Sequence, residues 1–154
     1  MVEQQAVNIL ITGSSGSVAH YLIDYIKRAE PGIHIVGVGQ RHLNSGAGID
    51  YISLNLATAW SLSFLTQLIT ERRPDIIFHL ASFAKVRPSF VDPRWYLANN
   101  VQCTVNLYEA LRLCESKAIC VLASTSEVYG NVPTNRPIIE HEPFNPINPY
   151  AISK

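Results

Sequence analysis

Short apolar runs rich in β-branched residues alternate along this chain with longer stretches in which apolar residues return every three or four positions. Val7-Asn8-Ile9-Leu10-Ile11 has the composition of a strand buried on both faces. A helical pattern follows to about Ala29, and Pro31-Gly32 breaks it. Ile33 to Val38 reads as a second strand and Ile49 to Leu54 as a third. Residues 59–72 carry Leu62, Leu65, Leu68 and Ile69 at helical spacing, and Pro74 ends that helix. Asp75-Ile76-Ile77-Phe78-His79-Leu80 is a fourth strand. The pattern then predicts a long helix from about Pro93 to Cys114, burying Val101, Val105, Leu107 and Leu111, and a fifth strand from Ala118 to Ala123. A stretch holding five prolines between 133 and 149 comes next, and a final helix starts with Asn148 as N-cap and Pro149 at its first position.

Strictly alternating strands and helices define an α/β fold: a doubly wound parallel sheet with helices on both faces. At 154 residues the chain forms one domain with a sizeable core. Twelve basic and twelve acidic residues cancel, so nothing electrostatic points to nucleic acid or to an anionic membrane. Any anion must be recognised by a local site. Cys103, Cys114 and Cys120 lack metal-site spacing, so no metal is expected, and they read as reduced, mostly buried thiols. No apolar stretch approaches the length of a membrane span, and residues 1–12 lack the basic flank of a signal peptide. A cytoplasmic location is the expectation.

Four places carry chemistry. Gly13-x-x-Gly16-x-x-Ala19 joins the first strand to the first helix. Gly13 suits a tight turn, Gly16 lets backbone approach a pyrophosphate, and the helix N-terminus stabilises the charge. Gly13, Ser15, Gly16, Ser17 and Val18 are therefore candidate cofactor residues. At the end of the second strand, an NAD site usually holds Asp or Glu on the ribose 2′-OH. Here stand Gly39, Gln40 and Arg41, and Arg41 could pair with a 2′-phosphate, which favours NADP over NAD. The alternative is a solvated loop arginine.

Ser124-Thr125-Ser126-Glu127-Val128-Tyr129-Gly130 follows the fifth strand, where side chains of a doubly wound sheet face a ligand. Thr125 could hydrogen-bond a substrate oxygen, Glu127 could act as a base, and Ser126 could touch substrate. Tyr150-x-x-x-Lys154 sets a phenol and an ammonium one helical turn apart, and the cation favours the phenolate. His79 reads as a satisfied core histidine, and Trp60 and Trp95 as helix packing. Lys85 and Arg87 read as solvated charges, with Lys85 the weaker candidate for a substrate phosphate.

Taken together, the glycine loop, His79-Leu80-Ala81-Ser82, Asn100-Val101-x-x-Thr104, Ser124 to Gly130 and Tyr150 to Lys154 resemble the amino-terminal half of an extended short-chain dehydrogenase/reductase. The resemblance is to its nucleotide-sugar epimerase/dehydratase members, and within them to GDP-mannose 4,6-dehydratases. It implies a Rossmann-like NAD(P)-binding domain over 1–154, ending at the Tyr-x-x-x-Lys motif and lacking the last strands and the substrate domain. Asn55 and Leu56 would lie against adenine, Leu80 and Ala81 (with Ser82 beside them) against the ribose and nicotinamide, and Tyr150 and Lys154 beside the cofactor. Thr125, Tyr150 and Lys154 would be the catalytic triad and Glu127 a second base. The implied reaction passes through a 4-keto sugar nucleotide and ends in dehydration. Epimerisation, 4-keto reduction and UDP-glucuronate decarboxylation are its alternatives, and a non-catalytic dinucleotide-binding module is the alternative of another class. Cys103 stands where the family usually has glycine.

Residues 148–154 make about two turns, below the roughly 12–15 residues at which an isolated helix becomes marginal. The Tyr150/Lys154 pair is therefore expected to fray. The strand 118–123 is expected to be an exposed apolar edge, and it or the helix 93–114 to support self-association or a homodimer.

Overall fold

The computed structural model describes residues 7–41, 48–133 and 136–154. The signal-peptide reading of residues 1–12 therefore falls partly outside the described residues, as does part of the proline-rich stretch. The elements are β1 (Asn8–Thr12), α1 (Ser17–Ala29), β2 (His34–Gly39), β3 (Asp50–Ser53), α2 (Ser61–Arg72), β4 (Ile76–His79), α3 (Val86–Val91), α4 (Pro93–Leu113), β5 (Ile119–Leu122), a 3-10 turn (Ser126–Tyr129) and α5 (Pro149–Ile152). All five predicted strands form, in one parallel sheet of order β3-β2-β1-β4-β5. The chain thus builds outward from β1 to β3, then returns to the other side of β1 with β4. Between the carboxyl ends of β1 and β4 the connections diverge and leave a crevice.

Period-two alternation explains the two cores. Ile9 and Ile11 of β1 join Ile35 of β2 and Ala19, Ile23 and Ile26 of α1 on one face. Leu10 points the other way, into a larger core with Val36, Val38, Ile77, Leu65 and Leu68 of α2, and Leu107 and Ala110 of α4. Both faces are covered, so the central strands read as continuous apolar runs.

The long helix buries Leu107 and partly buries Leu111 as expected, but not the two valines. Val101 and Val105 are 45% and 50% exposed, while Tyr96, Asn99, Asn100, Cys103, Asn106, Leu107 and Ala110 face inward. Three asparagines occupy that face because each has partners there. Asn106 Nδ2, for example, donates to the Leu56 and Thr58 carbonyls at 2.7 and 3.1 Å and to Ser61 Oγ at 2.8 Å. Trp60 and Trp95 are also largely exposed, Trp95 resting its ring 5.8 Å from that of Phe83. Of the thiols, Cys103 is buried and Cys114 and Cys120 are half-buried; all three are free. The exposed apolar edge forms as expected: β5 is the last strand, with Ile119 65% exposed. No helix among the described residues is long and apolar enough to cross a membrane.

At the carboxyl ends of the strands, His79 is buried and bonded through both ring nitrogens. The Thr104 hydroxyl donates to the Asn100 carbonyl at 3.1 Å, so its oxygen is left to accept from His79 Nε2–H, 3.1 Å away. Nδ1 then accepts from the Thr12 hydroxyl at 2.7 Å, and Thr12 Oγ1 accepts from Ala81 N–H at 3.4 Å. This is the satisfied core histidine that the sequence suggested. Burial, and next the Lys154 charge, hold the imidazole down at about 4.

The unfolded chain binds a proton at the ordinary histidine value while the folded one refuses it. His79 thus contributes stability above roughly pH 6.5, lost as pH falls toward 4, and worth about 3 kcal/mol over the window. In urea denaturation across that range, His79→Gln should flatten the slope. An unchanged slope would mean that the imidazole is not held neutral.

Candidate functional site

A cleft of about 210 Å³ opens at the point where the connections diverge. Gly13, Ser15 and Gly16 of the glycine loop form one wall; Gly39, Gln40 and Arg41 form the rim beyond β2. Leu54 and Leu56 follow β3, Leu80 to Phe83 follow β4, and Asn99 and Cys103 project from α4. Among the described residues no Asp or Glu lines it. The acid nearest in sequence, Asp50, is committed elsewhere, to His34 at 3.2 Å and Arg72 at 3.0 Å.

The glycine loop is tight because it must pass β4. Gly13 has φ +71°, and a Cβ there would lie 2.7 Å from Ala81 N and from the Leu80 carbonyl carbon. Gly16 N–H bonds back to the Gly13 carbonyl at 2.9 Å and starts α1. Gly39 is crowded by more yielding groups, since a Cβ there would meet Ser15 Oγ at 2.8 Å and Tyr51 Oη at 3.1 Å. Tyr51 Oη also bonds the Arg41 carbonyl and the Ser15 side chain, tying β3, the glycine loop and the rim together. Gln40 Nε2 donates to Asn55 Oδ1 at 3.0 Å, and Asn55 Oδ1 also accepts from Ala57 N–H. A walled cleft with small residues, a helix N-terminus and no acid fits a dinucleotide.

Of the sequence candidates, Gly13, Ser15, Gly16, Gln40, Arg41, Leu56, Leu80, Ala81 and Ser82 line the cleft. Ser17 and Val18 do not: they begin α1 on its exposed side, Val18 at 67%. Asn55 stands behind the rim through Gln40 rather than in the lining. Lys85 is exposed at the start of α3, away from the lining. Leu54, Phe83 and Asn99 escaped sequence reasoning, and Cys103 was marked only as a departure from the family's glycine. Asn99 and Cys103 are one helical turn apart, a spacing that could have paired them.

Beside the cleft the terminal turn is formed, which corrects the expectation of fraying. Tyr150 is 8% exposed and its N–H donates to Ser89 Oγ at 3.2 Å. Asn148 Oδ1 caps the turn from Ala151 N–H at 2.8 Å. Ser153 Oγ donates to the Tyr150 carbonyl at 2.7 Å and accepts from Asn100 Nδ2 at 2.9 Å. Asn100 also grips the Phe83 peptide from both ends, accepting from its N–H at 2.7 Å and donating to its carbonyl at 3.1 Å. The turn is held from the side by α3 and α4, where helix length counts for little. Lys154 Nζ reaches Ser82 Oγ at 3.1 Å, which links the Tyr/Lys turn to the cleft wall, and burial lowers its affinity for the proton. Thr125 Oγ1 accepts from Glu127 N–H at 3.3 Å, and Glu127 Oε2 accepts from Asn148 Nδ2 at 2.7 Å. Ser126 is exposed on the same 3-10 turn.

A parallel sheet with this cleft at its switch point defines a Rossmann-like dinucleotide-binding fold. The chain belongs to the GDP-mannose 4,6 dehydratase family, whose family model matches residues 10–154. It is 33% identical over 152 residues to a UDP-glucose 4-epimerase of Mycolicibacterium smegmatis, covering 94% of this chain and 47% of that protein. It is 32% identical over 159 residues to a GDP-mannose 4,6-dehydratase of Yersinia enterocolitica, covering 94% of this chain and 42% of that protein. The crystal structure of UDP-glucose 4-epimerase from Brucella ovis in complex with NAD superposes with a TM-score of 0.83 at 28% identity, over 96% of this chain and 44% of the other. The chain therefore spans a little under half the length of these relatives.

The contacts at Gly13 carry a direct test. Gly13→Ala should lower stability by about 1–3 kcal/mol, through a strained left-handed φ and collision with the β4 exit. Gly32→Ala, where a Cβ meets nothing within 4 Å, should stay within about 0.5 kcal/mol of the parent in the same thermal melts. Equal melts for the two variants would contradict the packing described.

Proposed function

We propose that this chain is the cofactor-binding part of a nucleotide-sugar 4,6-dehydratase that works through a 4-keto intermediate, with NADP as its preferred cofactor. The observation that carries the reading is Glu127. Its carboxylate is bonded to the residue that caps the Tyr150 turn, so a second base stands beside the Tyr/Lys pair. A 4-epimerase needs one base, at the sugar 4-OH; elimination across C5–C6 needs another.

When bound, the nicotinamide supplies a hydride acceptor for the sugar C4–H and a donor for C6. Tyr150 takes the proton of the 4-OH, and Thr125 hydrogen-bonds the same oxygen. Lys154 holds Ser82 on the cleft side. Once C4 is a ketone, C5–H is acidic; Glu127 takes that proton and passes it to the C6 hydroxyl, which leaves as water. Ser126 and Lys85 remain candidates for substrate contact on exposed positions. Self-association through the outer face of α4 or the edge of β5 belongs to the same reading.

The cofactor preference rests on the rim. Gly39 carries no side chain, and Gln40 and Arg41 supply neutral and cationic donors where a carboxylate would repel a 2′-phosphate. The NAD bound by the Brucella ovis epimerase, and the 33% identity to an epimerase, favour an NAD-dependent 4-epimerase as the second reading.

Calorimetric titration should give NADP⁺ binding at least about tenfold tighter than NAD⁺, with Arg41→Ala removing the difference. Equal affinities, or tighter NAD⁺, would exclude the preference. For the reaction, incubation with GDP-mannose and NADP⁺ in deuterium oxide should introduce deuterium at C5, and Glu127→Gln should abolish it by about a hundredfold or more while leaving cofactor binding intact. Interconversion at C4 without C5 exchange would mark the epimerase. Cofactor binding without turnover of any sugar nucleotide would mark a binding module.

A further inference from the structure

Asn148 makes one contact that capping alone would not require. The residue is 4% exposed. Its Oδ1 accepts from Ala151 N–H at 2.8 Å, and its Nδ2 donates to Glu127 Oε2 at 2.7 Å, across 21 positions of sequence. The amide has no choice of orientation. A backbone N–H only donates, so the oxygen must face Ala151 and the NH₂ must face the carboxylate. Serine or aspartate would cap the turn as well as asparagine does. Serine is too short to span both partners, and aspartate would set carboxylate against carboxylate. Asparagine alone of the good N-caps serves both sides.

The two ends ride on separate turns. Glu127 rides on a four-residue 3-10 turn that Thr125 opens and Gly130 closes at φ +62°. Tyr150 rides on α5, held by Ser89 and by Asn100 through Ser153. The stretch leading into α5 is pinned to the first turn by Asn145 N–H, which donates to the Val128 carbonyl at 2.9 Å, and by the Phe144 ring, 5.6 Å from that of Tyr129. Asn148 adds the one side-chain tie among these that reaches the Glu127 carboxylate itself.

We propose that Asn148 is a positioning residue: one carboxamide holds Glu127 in register with the Tyr150 turn, so that the C5 base cannot move without loosening the cap beneath the C4 base. What Glu127 does chemically rests on the dehydratase reading; the coupling itself does not.

Native-state hydrogen exchange of the Ala151 amide tests the coupling. Glu127→Ala should lower Ala151 protection about fivefold, the scale of one lost hydrogen bond. In an Asn148→Ser background, which keeps a cap, the same substitution should leave Ala151 protection unchanged. Asn148→Asp should also lose protection, and Glu127→Gln with Asn148→Asp, which reverses donor and acceptor, should restore it to within about twofold. Positioning is read separately: Asn148→Ser should keep parent NADP⁺ affinity and lose C5 deuterium exchange by about tenfold or more. Ala151 protection indifferent to residue 127 would overturn the coupling, even if C5 exchange stood. Full C5 exchange in Asn148→Ser would overturn the positioning role. Coupling in Ala151 with no C5 exchange in the parent would instead remove the dehydratase reading and leave the coupling in place.

Discussion

The carboxyl end of the sheet hangs on a histidine kept uncharged. His79 donates through Nε2 and accepts through Nδ1, so β1, β4 and α4 are tied at one buried ring by Thr12 and Thr104. A buried polar chain of this kind is rigid only when every member is satisfied. Thr104 passes the order on to the Asn100 carbonyl, and the Asn100 side chain grips Phe83 and Ser153. A proton on the ring would break this directionality and bring a second positive charge near Lys154. The shape of the cleft and the hold on the terminal turn therefore share one electrostatic condition.

Much of the fold was legible because parallel strands covered on both faces read as unbroken apolar runs, and each predicted strand lies within a residue or two of its observed position. The inner face of α4 was legible only at Leu107 and Leu111. Valine was taken as the mark of burial, whereas the buried positions hold Asn99, Asn100 and Asn106, whose partners come from distant loops. α3, six residues around Pro88, is too short to show a period. In the site, the glycine loop and rim were readable because strand-to-helix turns carry local signatures. Leu54, Phe83, Asn99 and Cys103 gain their place only from the crossing of elements. The terminal turn was misjudged because its length was weighed as if it stood in water, while Ser89 and Asn100 supply its missing partners.

The family assignment and the half-length match sit easily with this architecture. The groups read as chemical lie on the turn after β5 and on α5, with Lys154 reaching the loop after β4. All are gathered at one end of a sheet whose other elements only support it. Val101, Val105 and Tyr108 meanwhile give α4 an apolar outer stripe, and β5 exposes Ile119, Val121 and Leu122. Exposed apolar side chains also stand elsewhere, on α1 at Val18, Tyr21 and Tyr25 and on α3 at Phe90 and Val91, so the α4 and β5 surfaces are two among several.

Gly39 sets a limit on how such a protein can change. With Ser15 Oγ and Tyr51 Oη closing over it, a side chain added at that position requires the Ser15 hydroxyl to turn aside. A lineage drifting toward a different adenosine ribose meets that adjustment first. Residues 40 and 41, open to solvent, are where inheritance is free to experiment. The crowded glycine thus steers the evolutionary paths open to the pocket while it shapes the pocket itself.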